Sequence, residues 1–124
     1  MVPLRIQQEI MDLVVEDYTP LFDVTAVIRT RMPERTPAQH VHLAREFVEH
    51  LLRRGYVNLY YDCAAKSTEN HRHVVEVAAG KVHVELRHQD NWIYHDRRGS
   101  DQQWVAVGAT SAGESALHGG EFSE

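Results

Sequence analysis

The sequence predicts one α+β domain, in which three N-terminal helices precede a small antiparallel sheet and a short C-terminal helix. Three observations lead to this prediction. Apolar residues recur at helical spacing between residues 4 and 54. The pattern changes at Gly55 into a run with the β-branched and aromatic bias of a strand. Two further strand-like runs and a capped apolar segment then close the chain, whose 124 residues suit a single domain.

One apolar stripe defines each of the first two helices. The break between them falls at residues 17–20, because the residue before a proline is disfavoured in a helical conformation. Thr19 is the expected N-cap of the second helix, with Pro20 at its first position. The first helix covers residues 4–16, and the stripes of the two helices are expected to place in the core Ile10, Leu13, Val14, Val27 and Ile28.

The third helix has the strongest boundary signals in the chain. Thr36 is its expected N-cap, followed by Pro37 in the first turn and Gln39 at the capping-box position. Gly55 is the expected C-terminal stop, since glycine readily takes the left-handed conformation that ends helices. The core-facing stripe of this helix comprises Val41, Ala44, Phe47, Val48 and Leu51.

Strands and a closing helix are expected after Gly55. Residues 56–61 predict a strand that pairs with a terminal hairpin formed by residues 92–95 and 103–107. Residues 72–89 fit both strand alternation and a longer helical stripe interrupted by Gly80, and the longer pattern favours a helix. A short helix capped by Thr110 or Ser111 ends the expected domain at residue 118, and residues 119–124 are expected to form a flexible tail.

The charge of the chain is negative overall but unevenly distributed. The net charge of −5 argues against a protein that coats nucleic acid indiscriminately. Residues 29–54, however, contain six arginines and three glutamates, a local charge of +3. The single cysteine, Cys63, and the absence of an apolar run long enough to span a membrane favour a cytoplasmic protein.

Two stretches resemble winged helix-turn-helix domains. One is LLRRGYVNLYY, residues 51–61, where a helix ends in a basic pair and a glycine directly before a strand. The other is VAVGATSAGESAL, residues 105–117, where a strand returns into a helix with the pattern T-x-x-G-x-x-A-L. Residues 62–91 are an insertion that the simple pattern lacks. The resemblance implies a DNA-binding transcriptional regulator, acting as a homodimer on double-stranded DNA, with a recognition helix at about 36–54 and a wing at about 92–107.

The resemblance also implies which residues contact DNA. The recognition helix would lie in the major groove with its N-terminal and outward residues facing base edges. Glutamine and arginine suit this role, because they bond adenine and guanine in bidentate fashion. Arginines at the wing tip would reach phosphates or a minor groove. The expected contacts are Arg35, Thr36, Gln39, His40, His42 and Arg45 on the helix, with Arg97 and Arg98 on the wing.

A protein-interaction module on the same fold is the alternative function. Glu46 and Glu49 lie on the outward side of the expected recognition helix, where they would repel phosphates. Together with the acidic net charge and the insertion, they favour an adaptor, an antitoxin-type or immunity-type protein, or a phage-encoded inhibitor.

Metal binding and catalysis have weaker support. His40-x-His42 and His71-x-His73, with Asp62 and Cys63 nearby, fall short of the paired CxxC or HExxH patterns of zinc sites. Cys63 and a histidine could be drawn as nucleophile and base, but nothing in the sequence orients the histidine. We also find no P-loop, dinucleotide fingerprint or nucleophile elbow. We therefore expect no metal, no other cofactor and no enzymatic activity.

Overall fold

The computed structural model describes residues 1–63, 73–94 and 103–124. Within these residues the chain forms five α-helices and a four-stranded antiparallel sheet, so the α+β class is confirmed. The elements in chain order are α1 (Leu4–Glu16), β1 (Thr19–Pro20), α2 (Leu21–Arg31), α3 (Pro37–Arg53), β2 (Val57–Cys63), β3 (Val74–Glu76), α4 (Ala79–Arg87), a 3₁₀ helix (Gln89–Trp92), β4 (Gln103–Ala109) and α5 (Ser111–His118).

The boundaries of α3 follow from its caps, as the sequence predicts. The Thr36 hydroxyl accepts a hydrogen bond from the Gln39 backbone N–H at 3.2 Å. The Gln39 side-chain oxygen accepts from the Thr36 backbone N–H at 2.8 Å, which completes the capping box. Gly55 has a φ of 73°, the left-handed conformation expected where the chain turns from the helix into β2.

The sheet has the strand order β1-β4-β2-β3. β2 and β4 pair over seven residues, from Val57 opposite Ala109 to Cys63 opposite Gln103, which confirms the predicted pairing of residues 56–61 with 103–107. The predicted hairpin between 92–95 and 103–107 is wrong, since the described part of 92–95 is not a strand and β4 pairs with β1 and β2. Trp92 is instead fully buried in a 3₁₀ helix, where core packing overrides its strand propensity.

The start of α2 also differs from the prediction. Thr19 does not cap the helix, because residues 19 and 20 form β1 and pair with Val107 and Ala106 of β4. The Thr19 hydroxyl donates to the Asp17 carbonyl at 3.1 Å, and the helix begins at Leu21 after an extended Pro20. Pairing with a strand almost ninety residues away in sequence therefore replaces a local cap.

The insertion between β2 and β4 contains both a strand and a helix, the two structures that its sequence patterns indicate. The helical prediction for residues 72–89 is confirmed for Ala79–Arg87, with Gly80 in the first turn. It is wrong for Val74–Glu76, which add a short strand to the edge of β2.

The core joins the first three helices to β2 and β4. Most of the predicted core residues are buried, but Leu13 is 39% exposed and Val27 is only partly buried. Residues 119–124 differ from the expected flexible tail, because Phe122 is 2% exposed and packs edge-on against Phe47 and Tyr56. The buried apolar residues of the three helices are Ile6, Ile10, Met11, Val14, Leu21, Val24, Ile28, Val41, Ala44, Phe47, Val48 and Leu51.

The start of α5 lies against the turn that follows α3. The backbone N–H of Thr110 donates to the Tyr56 carbonyl at 3.0 Å, and the Thr110 hydroxyl donates to the Gly55 carbonyl at 2.7 Å. Thr110 also accepts from the Gly113 N–H, which confirms it as the cap of α5. A Cβ atom at Gly113 would overlap the Tyr56 carbonyl oxygen, so the glycine of the T-x-x-G pattern is required by this close approach.

Replacing Gly113 by alanine should lower the free energy of unfolding by about 3 kcal/mol, because the added methyl group forces the backbones of α5 and Tyr56 apart. Gly80→Ala is the matched control. It introduces the same methyl group into a helix at a position with open space around it, and should change stability by no more than about 1 kcal/mol, in the stabilising direction. Urea denaturation of both variants measures the difference, and equal stabilities would contradict the packing argument.

Candidate functional site

The N-terminal end of α3 is the most exposed part of the helix pair α2 and α3. α2 ends at Arg31 and α3 begins at Pro37. Of the predicted DNA contacts, Arg35, Thr36, Gln39 and His42 are exposed here. Thr36 and Gln39 are engaged with each other in the capping box, however, so Gln39 has only its amide N–H groups left to donate. Arg35 and His42 take no part in the capping box, and an Arg35 nitrogen lies 3.9 Å from a Glu34 oxygen.

His40 does not face outward. It is 4% exposed, and its Nε2–H donates to the Met32 carbonyl at 2.7 Å, so it fastens α3 to the preceding turn. The expected outward orientation of His40 is therefore wrong. Its position could have been found from the sequence, because residues 40, 44, 47 and 51 follow the helical repeat of the buried stripe.

Arg45 is turned toward the insertion. Its Nε–H donates to the Leu86 carbonyl at 3.0 Å, and its guanidinium carbon lies 5.9 Å from the centre of the Trp92 ring. The Trp92 indole N–H donates to the same carbonyl at 2.9 Å. The expected outward orientation of Arg45 toward base edges is not the one observed, because the side chain connects α3 to α4. The partner lies 41 residues away, and no local pattern indicates it.

The charges around α3 are less basic than a count of arginines indicates. Arg31 forms a two-point ion pair with Glu9 of α1, at 2.9 and 3.1 Å. This hydrogen-bonded guanidinium lowers the pKa of the Glu9 carboxyl below its ordinary value. Arg35 lies 3.9 Å from Glu34, and both side chains are about half exposed or more. On the outward side of α3, a Glu46 oxygen lies 3.1 Å from the amino group of Met1.

Several predicted features lie outside the described residues, among them Arg97, Arg98 and His71. Within the described ranges, no group of three or more His, Cys, Asp or Glu side chains is arranged to hold a metal ion. No helix in the same ranges has the length and apolar character needed to cross a membrane. Comparisons of the chain with protein-family models, curated proteins and solved structures find no match.

Arg45→Ala should loosen the insertion, because the Leu86 carbonyl loses one of its two side-chain donors and Trp92 loses the overlying guanidinium. We expect stability to fall by about 1–3 kcal/mol and amide hydrogen exchange to accelerate in residues 79–92. Arg29→Ala is the control, since it removes the same charge from an exposed position on α2. Unchanged exchange in residues 79–92 would show that Arg45 does not anchor the insertion.

Arg31→Gln should raise the pKa of Glu9 toward the ordinary value of a glutamate, which an NMR titration of the Glu9 carboxyl measures. A lowered folded-state pKa stabilises the protein above the unfolded-state pKa, and this stabilisation disappears as the pH falls through the folded-state value. The stability difference between wild type and Arg31→Gln should therefore be present at neutral pH and vanish in acid. Arg29→Gln, on the same helix, should leave the Glu9 titration unchanged.

Proposed function

We propose that the chain is a winged helix-turn-helix domain that binds double-stranded DNA in transcriptional control. The observation that supports this most is that the helix pair α2 and α3 leads directly into β2, which pairs with β4, while the N-terminal end of α3 is exposed. In helix-turn-helix proteins, the N-terminal residues of the second helix contact base edges in the major groove.

The charges at this end of α3 are compatible with such a contact. Arg35 is exposed beside the first turn, and Arg29 is exposed on α2. The positive end of the helix dipole also favours phosphate, but Pro37 has no N–H and the Gln39 N–H donates to Thr36, which leaves the Ala38 N–H in the first turn. We assign phosphate or base contact to Arg35 and His42. Thr36 and Gln39 can contribute only the side-chain groups that are not engaged in the capping box.

The insertion restricts how α3 can approach DNA. Glu49, Leu52 and Arg53 in the second half of α3 face α4 across a cavity, so this part of the helix has a protein neighbour on one side. The major groove of B-DNA is about 12 Å wide and accommodates one helix. The proposal therefore requires α3 to enter the groove by its N-terminal end, and not along its full length.

A homodimer in the cytoplasm is part of the same proposal, because one recognition helix reads only a few base pairs. A groove between α1 and α2, whose polar lining residues are Glu9, Asp23 and Thr30, is the surface we assign to the dimer. Leu13, which is 39% exposed, lines this groove together with Ala26 and Val27.

A protein-interaction module is the second candidate, and the acidic outward side of α3 favours it. Glu46 and Glu49 occupy the middle of the helix, where a DNA-binding helix would approach phosphates. The outer side of α4 also exposes Val84, which is 58% accessible. Carboxylates on α3 and an exposed apolar residue on α4 suit a protein partner with basic residues around an apolar anchor.

Fluorescence anisotropy with labelled genomic fragments over a series of salt concentrations tests the DNA proposal. We expect specific binding that weakens as salt rises, through counterion release. Arg35→Ala should weaken binding and reduce the slope of log affinity against log salt by about one. Arg87→Ala, an exposed arginine on α4, is the charge-matched control and should leave the slope unchanged.

A folded chain that forms no complex with any fragment at about 50 mM salt would refute DNA binding and leave the protein-interaction module. Binding with an unchanged slope in Arg35→Ala would instead refute the assignment of the N-terminal end of α3 as the contact surface.

A further inference from the structure

α3 and α4 face each other across a cavity of about 390 Å³. The apolar side chains that line it are Leu52 of α3 with Ala79, Val82 and Leu86 of α4. The polar side chains that line it are Glu49, Arg53 and His83. The volume falls within the range of about 300–1,000 Å³ that is typical of small-molecule sites, and apolar side chains with a few polar groups are their usual lining.

The inner wall of this cavity is held in place by the core. Leu86 is 5% exposed, and its carbonyl oxygen accepts hydrogen bonds from both Arg45 and Trp92. Asn91 donates a further hydrogen bond to the Glu85 carbonyl at 2.8 Å. The Arg45 hydrogen bond therefore joins the C-terminal end of α4 to α3, and the bonds from Asn91 and Trp92 hold the same end of α4 against the following 3₁₀ helix.

Glu49 and Arg53 give the cavity two opposite charges one helical turn apart. They are not within 4 Å of each other, and neither forms an ion pair with another of the described residues. A ligand with a positive and a negative group can therefore pair with both side chains. Charge-assisted hydrogen bonds of this kind are about twice as strong as neutral ones.

We propose that this cavity binds a small zwitterion with an apolar body, of the class of the apolar α-amino acids. The ammonium group of the ligand pairs with Glu49 and its carboxylate pairs with Arg53. The side chain of the ligand contacts Leu52, Val82 and Leu86. The site is separate from the N-terminal end of α3, so the proposal does not depend on DNA binding.

An NMR titration of the isotope-labelled full chain with L-leucine tests the proposal. We expect backbone amide shifts concentrated in residues 49–53 and 79–86. N-acetyl-L-leucine lacks the ammonium group and L-leucine methyl ester lacks the carboxylate. Each derivative should bind at least about tenfold more weakly than L-leucine, since each loses one charge-assisted contact.

Substitutions assign the contacts to individual side chains. Glu49→Gln and Arg53→Gln should each weaken L-leucine binding about tenfold, and Ala79→Leu should abolish it by filling the cavity. Arg87→Gln and Val84→Leu change α4 at positions that do not line the cavity, and both should bind as the wild type does. Thermal unfolding confirms that each variant is folded, and the two charge variants decide the question if Ala79→Leu does not fold.

Three results would overturn the proposal. The first is the absence of localised shifts with L-leucine at about 10 mM. The second is equal binding of L-leucine and its two blocked derivatives, which would indicate an apolar groove without charge recognition. The third is a shift of the same amides with protein concentration alone, which would show that a second copy of the chain occupies the cavity.

Discussion

The antiparallel pairing of β2 with β4 is the interaction on which the rest of the structure depends. It joins Val57 to Ala109 and Cys63 to Gln103, and so connects the end of the helical half to the end of the chain. β1 is added to the free side of β4 and β3 to the free side of β2. Gly55 and Gly113 lie at the same end of this ladder, where one lets α3 end sharply and the other lets α5 approach the Tyr56 backbone.

The Leu86 carbonyl has a comparable role for the insertion. It accepts one hydrogen bond from Arg45 of α3 and one from Trp92 of the 3₁₀ helix. This contact places α4 beside the second half of α3, which limits the part of α3 that can reach DNA. It also leaves a cavity between the two helices. If both proposals hold, one structural feature confines the DNA contact to the N-terminal end of α3 and forms a ligand site next to it.

The distribution of charge shows why counting arginines overestimates the basic surface. Residues 29–54 contain six arginines, but three of them form hydrogen bonds within the protein and a fourth, Arg35, lies 3.9 Å from Glu34. Arg31 pairs with Glu9, Arg45 binds the insertion, and Arg54 contacts Tyr56 and Glu121. The contacts of Arg54 help to hold the C-terminal residues, whose Phe122 lies in the core. A positive surface for DNA at the N-terminal end of α3 would therefore depend chiefly on Arg29 and Arg35.

The sequence by itself determined the features that depend on neighbours a few residues away. The capping box at Thr36, the stop at Gly55 and the buried stripe of α3 are local, since helical spacing and terminal hydrogen bonds need only one or two turns of chain. The same holds for the cap of α5 at Thr110 and the strand character of β2.

Only the tertiary structure decided which residues the helices and strands contact. Thr19 pairs with β4 where a cap is expected, Leu13 remains exposed on a helix that buries its neighbours, and Trp92 enters the core from a 3₁₀ helix. His40 is an intermediate case. Its position in the helical repeat predicts that it is buried, but no local pattern predicts its hydrogen bond to the Met32 carbonyl. These outcomes depend on contacts with groups that are distant in sequence. The periodicity of a segment does not show which distant group a side chain will contact.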